Sequence, residues 1–375
     1  MSQIGFRHLY AVLTLLLLLT ACQSRSQEIF QQQILQFGTI IDATIVSSDP
    51  ALAEKAMRML EDDFATMQAS WQVWKPGPLM ALNQALSNGR GIIPEPSLVP
   101  LIRKATSISR SSNYLFNPAV GKLIALWGFH KDEFGRNKSP SAADIRALVN
   151  ANPRMDDLYF RQHKLYSRNP AVKLDFGGFA KGYGLGLEAH KLKSMGIDNF
   201  ILNAGGDLVA WGHHPMRSWK IGVRDASGSG AIATVEPGNG DSIFTSGDYE
   251  RRYMLNGKQR HHIIDPRTGY PSQGAHAVTV IHQDPALADA VATALMVAAP
   301  SEWATIAVRL GVDKVLLIDH EGQLHISPAM LKKIQLAPGH TRYTLLKIPG
   351  KRDPATKTPS NSNLSSQIVV KSPTR

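Results

Sequence analysis

At 375 residues, with 43% hydrophobic and 19% charged residues, the chain can bury a sizeable core and is too apolar for a disordered polymer. Its formal net charge of +11 invites a nucleic-acid reading that the distribution of charge excludes: from Thr341 onward seven basic residues (Arg342, Lys347, Lys351, Arg352, Lys357, Lys371, Arg375) stand against Asp353 alone. The body that remains is mildly basic, which suits an anionic ligand such as a nucleotide. The single cysteine, Cys22, excludes an intramolecular disulfide and any cysteine-based metal site.

In chain order, Arg7 and His8 precede the apolar run Ala11 to Leu19, and Leu19-Thr20-Ala21-Cys22 closes it. A basic start, an apolar stretch too short to span a bilayer and small residues before a cut mark an export signal. A cysteine directly after Leu-Thr-Ala resembles a lipobox. Residues 1–21 are therefore expected to be a lipoprotein signal peptide and Cys22 the acylated residue that anchors the chain to a membrane without spanning it. Gln23 favours the periplasm-facing outer membrane, with the inner membrane as the alternative. Residues 22–36 read as a polar tether, 37–349 as one folded domain, and 350–375 as a basic disordered tail.

Within the domain, Phe37 to Ser47 alternates as a strand does. Asp49-Pro50 is a helix cap followed by proline, and the helix beyond it turns Leu52, Ala56, Met59, Leu60 and Phe64 inward. A second helix is predicted over Pro96 to Ser111. Val172 to Phe176 reads as a strand, Gly177-Gly178 as a turn, and Ala180 to Ser194 as a helix ended by Gly196. Further strands are predicted at Phe200–Leu202, Trp219–Val223, Ala231–Val235, Ala277–His282 and Val315–Ile318. Helices are expected from Asp284-Pro285 to about Ala299 and over Ser301–Gly311. The irregular alternation implies an α+β fold, a single mixed α/β body.

Five segments carry polar chemistry. Asp175 to Tyr183 is a double-glycine turn running into a helix with Lys181 in its first turn; it serves either as a tight turn or as a place where backbone amides and a cation approach phosphate. Asn203-Ala204-Gly205-Gly206-Asp207 and Thr245 to Arg251 are further small, polar segments that by themselves read first as structural turns. His261-His262 sits on a short strand, so only one imidazole faces a given site, where it can act as a general base. Asp289 and Thr293 lie four apart on one helix face, either as a hard oxygen site for Mg²⁺ or as a capping aspartate and a core threonine.

Taken together the segments resemble the ApbE family, the FAD:protein FMN transferases once labelled thiamine-biosynthesis lipoproteins. The matching stretches run in family order: Phe37-Gly38-Thr39, Phe116 to Gly121 with Leu126 to Phe129, Asp175 to Tyr183, Asn203 to Asp207, Thr245 to Arg251, His262 to Gly269 and Ala288 to Thr293. The resemblance implies an enzyme of ApbE-type fold that moves FMN from FAD, its substrate, to a Thr or Ser hydroxyl of an acceptor flavoprotein on a separate chain, with release of AMP. It implies Mg²⁺ held by Asp289, Thr293 and the carbonyl of Gly178. It further implies FAD contacts from Phe37, Trp74, Leu115, Phe116, Asn117, Asp175, Lys181 and Ile264, with His262 and Asp289 as catalytic residues. Four departures stand out: Asn117 replaces an aspartate, Ala292 a further acidic ligand, Gly186 an acidic residue, and Lys75-Pro76-Gly77-Pro78 lacks the usual Asp-Ser pair before Asn83. An FAD pyrophosphatase and a non-catalytic flavin-binding lipoprotein are the competing readings.

Overall fold

The computed structural model describes residues 26–129, 139–226, 228 and 230–348, together with the backbone of Ile368–Val370. The expected signal peptide, Cys22 and the rest of the expected tail lie outside the described residues.

Local sequence sets the first helix plainly. The Asp49 carboxylate accepts a hydrogen bond from the Leu52 amide at 3.1 Å and Pro50 opens α1 (Pro50–Trp71). Ala53, Ala56, Met57, Leu60, Phe64, Met67 and Trp71 then make one buried stripe. Asp284 and Pro285 repeat the device at α7 (Pro285–Val297), where Asp284 Oδ1 caps the Leu287 amide. This helix is apolar nearly all round and is buried nearly all round. Between these two in sequence lies α6 (Ala180–Ser194), stopped as expected by Gly196 at φ +82°.

The frame is a ten-stranded sheet in the order β1-β2-β5-β6-β9-β12-β13-β14-β16-β17, with β1 at Glu28–Gln36, β14 at Leu324–Ile326, β16 at Arg342–Leu345 and β17 at Ile368–Val370. Its central members are β2 (Thr39–Ser47), β5 (Asn199–Ala204), β6 (Asp207–Trp211), β9 (Ser242–Gly247), β12 (Ala277–His282) and β13 (Lys314–Ile318). Side-chain alternation divides the core in two. Ile41, Ala43, Ile45, Val278, Val280 and Leu317 join the large core that holds α1, α6 and α7. Val46, Ala277, Ile281, Leu316 and Ile318 face the other way, against a three-stranded sheet of β7 (Ile221–Arg224), β8 (Ala231–Val235) and β15 (Ile334–Leu336). A third, smaller core gathers Val120, Leu123, Trp127, Phe129, Ile145 and Ile264. The architecture is the expected α+β, and no helix among the described residues is long and apolar enough to cross a membrane.

Four expectations need correction. Glu28–Gln36, read as part of the tether, forms the edge strand β1 and pairs with β2 from Glu28↔Ser47 to Gln36↔Thr39. Its inward residues Phe30 and Ile34 are separated by glutamines, which mask the alternation. Phe37 and Gly38 both take positive φ and make the hairpin turn, so the strand predicted from Phe37 begins at Thr39. Val172 to Phe176 makes only a bridge from Lys173 to Val120, with the Lys173 and Asp175 amides donating to the carbonyls of Ala119 and Pro118. That segment is extended because it is stapled on both sides, not because it belongs to a sheet. Within the expected tail, the backbone of Ile368–Val370 (β17) runs antiparallel to β16 (Arg342–Leu345).

Candidate active site

The close approach of α6 to α7 builds the centre of the site. A Cβ at Gly182 would lie 2.3 Å from the Pro285 carbonyl oxygen and 2.7 Å from the Asp289 Cβ, so only glycine allows the two helices to meet here. The reward is a hydrogen bond: the Gly182 amide, in the first turn of α6, donates to Asp289 Oδ2 at 2.9 Å. One turn further along α7, Thr293 Oγ1 lies 3.4 Å from the carbonyl oxygen of Gly178. A Cβ at Gly178 would lie 2.9 Å from that hydroxyl, which explains the second small residue. A carboxylate, a hydroxyl and a carbonyl thus line one contact between turn and helix. The donors are all oxygen, and they fit a hard divalent cation such as Mg²⁺.

Electrostatics point the same way. Burial pushes the Asp289 carboxyl up to about 7; Lys181 and the Gly182 amide work against this, while Asp207 and Glu250 reinforce it. A carboxyl held so high is one that a bound cation would ionise. Lys181 has its ammonium paired with Asp207 Oδ2, and although burial opposes its charge, Asp207, Asp289 and Glu250 hold it well above the ordinary lysine range. Asp207 is itself fixed, since its Oδ1 accepts from the Thr245 amide at 2.9 Å and the Thr245 hydroxyl meets that of Thr279 at 2.9 Å. Lys181 therefore sits in a ring of carboxylates, and any phosphate contact is made by an ammonium already oriented by Asp207.

His262 lies just past β11 (Lys258–His261) with its amide on the Arg251 carbonyl at 3.1 Å and its ring edge-on to Phe129. Burial lowers its pKa to about 3, helped by the nearby cations Arg251 and Lys181 and by His261. The imidazole is neutral at physiological pH, the form that accepts a proton. Its Nδ1 is buried without a hydrogen-bond partner. His261 turns the other way, its Nε2 on the Ser272 carbonyl at 2.9 Å, so the alternation expected of adjacent strand residues separates the two rings.

The remaining sequence candidates divide into two groups. Asp175 stays near the site, with Oδ1 accepting from the Gly177 amide at 2.9 Å and its pKa raised by burial against the pull of Arg251 and Lys173. Trp74 is half-buried with the Lys173 ammonium 5.1 Å above its ring. Phe37 is stacked on Trp71 at 6.2 Å, with its amide on Gln68 Oε1. In contrast, Leu115, Phe116 and Ile264 are 3%, 3% and 6% exposed and their side chains serve the core. Asn117 spends its amide on the Pro153 carbonyl and the Ala119 amide, so the residue standing where the family has aspartate is a structural brace. Ala292 is fully buried in the large core.

Sequence reasoning gave no role to Asp207, although its segment was visible, nor to Glu250. It also passed over Asn83, whose side-chain amide bonds both the carbonyl and the amide of Leu174 at 2.9 and 2.6 Å. Asn83 thereby staples the stretch that delivers Asp175 and Gly178. Asp207 and Asn83 are polar residues at buried positions, a signal that shows only when the fold is known, whereas Glu250 is exposed and left no such signal.

Solved structures share this fold. An ApbE protein from Thermotoga maritima superposes with a TM-score of 0.74 at 25% identity, covering 82% of this chain and 99% of that one. The flavinyl transferase ApbE of Pseudomonas stutzeri gives 0.72 at 25%, covering 82% and 97%. The fold thus places the chain among ApbE-type proteins. More particularly, it belongs to the ApbE family, whose sequence model matches residues 37–316. Its relatives include the FAD:protein FMN transferases of Rhodobacter capsulatus (37% identical, 81% of this chain and 58% of the relative), Klebsiella pneumoniae strain 342 (31%, 76% and 84%) and Treponema pallidum strain Nichols (30%, 70% and 77%). The chain thus spans little more than half the length of the Rhodobacter protein.

Proposed function

We propose that this chain transfers FMN from FAD to a Thr or Ser hydroxyl of an acceptor flavoprotein on a separate chain, releasing AMP in an Mg²⁺-dependent reaction. The observation that carries the reading is the meeting of Asp289, Thr293 and the Gly178 carbonyl beside Lys181 and the neutral imidazole of His262. Asp289, Thr293 and Gly178 would hold the Mg²⁺, which supplies charge neutralisation at the pyrophosphate. Lys181, oriented by Asp207, meets the phosphate oxygens. Phe37 and Trp74 offer aromatic surface to the flavin or adenine rings and Asp175 a polar contact, while Leu115, Phe116, Asn117 and Ile264 shape the wall from within the core. His262 takes the proton of the acceptor hydroxyl as its oxygen attacks the FMN phosphorus. The new O–P bond forms as the bond to the AMP oxygen breaks, and the electron pair leaves with AMP.

The chain acts at a membrane surface in this reading. Cys22 carries the acyl anchor, Gln23 favours the outer membrane, and the active domain faces the periplasm. Tethering raises its effective concentration near membrane-bound acceptors. The test is incubation of the purified protein with FAD, Mg²⁺ and a flavoprotein subunit, read by in-gel flavin fluorescence. A fluorescent acceptor band supports transfer. FMN and AMP with no band would make the protein an FAD pyrophosphatase, and bound, uncleaved FAD would make it a binding protein.

A further inference from the structure

The second histidine of the pair leads to a different place. His261, 5% exposed, lines a cavity of about 330 Å³ together with Asp248, Arg260, Ser272, His276 and His320. Asp248 follows the end of β9, His276 precedes β12, and His320 lies on the turn after β13. These three neighbouring strands bring together residues up to 72 positions apart. The sheet ladder continues through them, with the Asp248 amide donating to the His276 carbonyl at 3.1 Å and the His276 amide to the Ile318 carbonyl at 2.8 Å. The side chains are held side by side by backbone that would be there with or without a ligand.

One ligand atom from each of Asp248, His276 and His320 lies within 4.8 Å of the others. His276 Nδ1 is 2.7 Å from Asp248 Oδ1 and His320 Nδ1 is 3.8 Å from Oδ2. Ligands about 2.1 Å from a tetrahedral ion stand about 3.4 Å apart, a value these two separations bracket. Asp248 Oδ1 is buried beside His276 Nδ1. His261 Nδ1 and Ser272 Oγ are buried without hydrogen-bond partners. Polar atoms left without hydrogen-bond partners around one cavity call for an occupant. Arg260, also on the wall, sets its guanidinium over the Trp127 ring at 5.5 Å, with its Nε buried without a hydrogen-bond partner.

We infer that Asp248, His276 and His320 form a second metal site, one that takes a nitrogen-preferring divalent transition metal of the Zn²⁺ class, with a coordination position open to the cavity. Two imidazoles and a carboxylate select such an ion over Mg²⁺, which prefers oxygen throughout. The site is separate from the oxygen-lined contact of α6 and α7, and the inference stands whether or not the flavin reading does.

Zn²⁺ alone, titrated calorimetrically into the chelator-stripped full-length protein, tests it. One equivalent per chain is expected, with binding kept in Asp289→Ala and weakened about a hundredfold in His276→Ala and in His320→Ala. Co²⁺ should bind at the same stoichiometry with the visible absorption of a four-coordinate ion. His320 is about two-fifths exposed on a turn, so its replacement leaves the fold intact. Zn²⁺ should also raise Tm in the parent and not in the double variant. Stoichiometric binding that survives the loss of both histidines, or no binding to the parent, would overturn the assignment.

Discussion

Two places in this molecule are built to hold charge, and they are built differently. Between α6 and α7 the donors are oxygens, the approach is set by glycines, and the charged groups crowd together: Lys181 among Asp207, Asp289 and Glu250. At the ends of β9, β12 and β13 the donors are mainly imidazole nitrogens, and their spacing is set by the sheet ladder. His261 and His262, adjacent in sequence, fall one to each place. The lesson is that helix–helix contact needs a missing side chain to bring polar groups close, whereas neighbouring strand ends do so by register alone. The first leaves a trace in the sequence as glycines; the second leaves almost none.

The largest expected effect separates the two places most sharply. Asp289→Ala should cut FMN transfer more than a thousandfold, about 4 kcal/mol of transition-state stabilisation, with an unchanged circular dichroism spectrum. Retention of activity in Mg²⁺ would remove the metal role. His262→Gln should lower turnover about a hundredfold or more while FAD binding, followed by flavin fluorescence, stays near that of the parent. A loss of binding with unchanged turnover would make the imidazole a wall rather than a base.

Glycine spacing offers a finer test on a single helix face. Gly182→Ala forces α6 from α7 and should cost about 1–3 kcal/mol by urea denaturation. At Gly186, one turn on, a Cβ would meet the Pro285 ring at an ordinary 3.4 Å, so Gly186→Ala should be neutral or stabilise by up to about 1 kcal/mol through helix propensity. Equal costs at both positions would contradict the close-approach argument.

A comparable effect, about 2 kcal/mol between pH 7 and pH 5, is in pH. The folded-state pKa of His262 is depressed to about 3 from 6.5, so the unfolded chain binds a proton that the folded chain refuses. Its contribution is present above pH 6.5 and is lost as pH falls toward 3, on the order of 1 kcal/mol per unit. Urea midpoints should therefore fall less between pH 7 and pH 5 in His262→Gln than in the parent; parallel curves would show that the ring is not buried neutral.

Much of the fold was legible. The paired Asp-Pro starts gave the first residues of α1 and α7, because a capping carboxylate and a proline act locally. Gly196 ended α6 for the same reason. β1 was not legible, since an edge strand with glutamines between Phe30 and Ile34 has the composition of a tether. In the site, Gly178 meets Thr293, and Asp289 meets the turn of α6 that carries Lys181. Leu115, Phe116 and Ile264 do not offer side chains there, because a matched position records where a residue stands and not which way it faces. Asp248 lay in a visible segment but His276 and His320 lacked any motif; only strand order makes the three neighbours.

The central claim is that one oxygen-lined contact directs FMN from FAD onto a protein hydroxyl. Counting AMP released against FMN covalently attached, by mass spectrometry of the acceptor, tests it most directly. The account predicts one AMP for each FMN attached, with both lost together in Asp289→Ala. AMP released in large excess over attached FMN, or attachment that persists without Asp289, would contradict it.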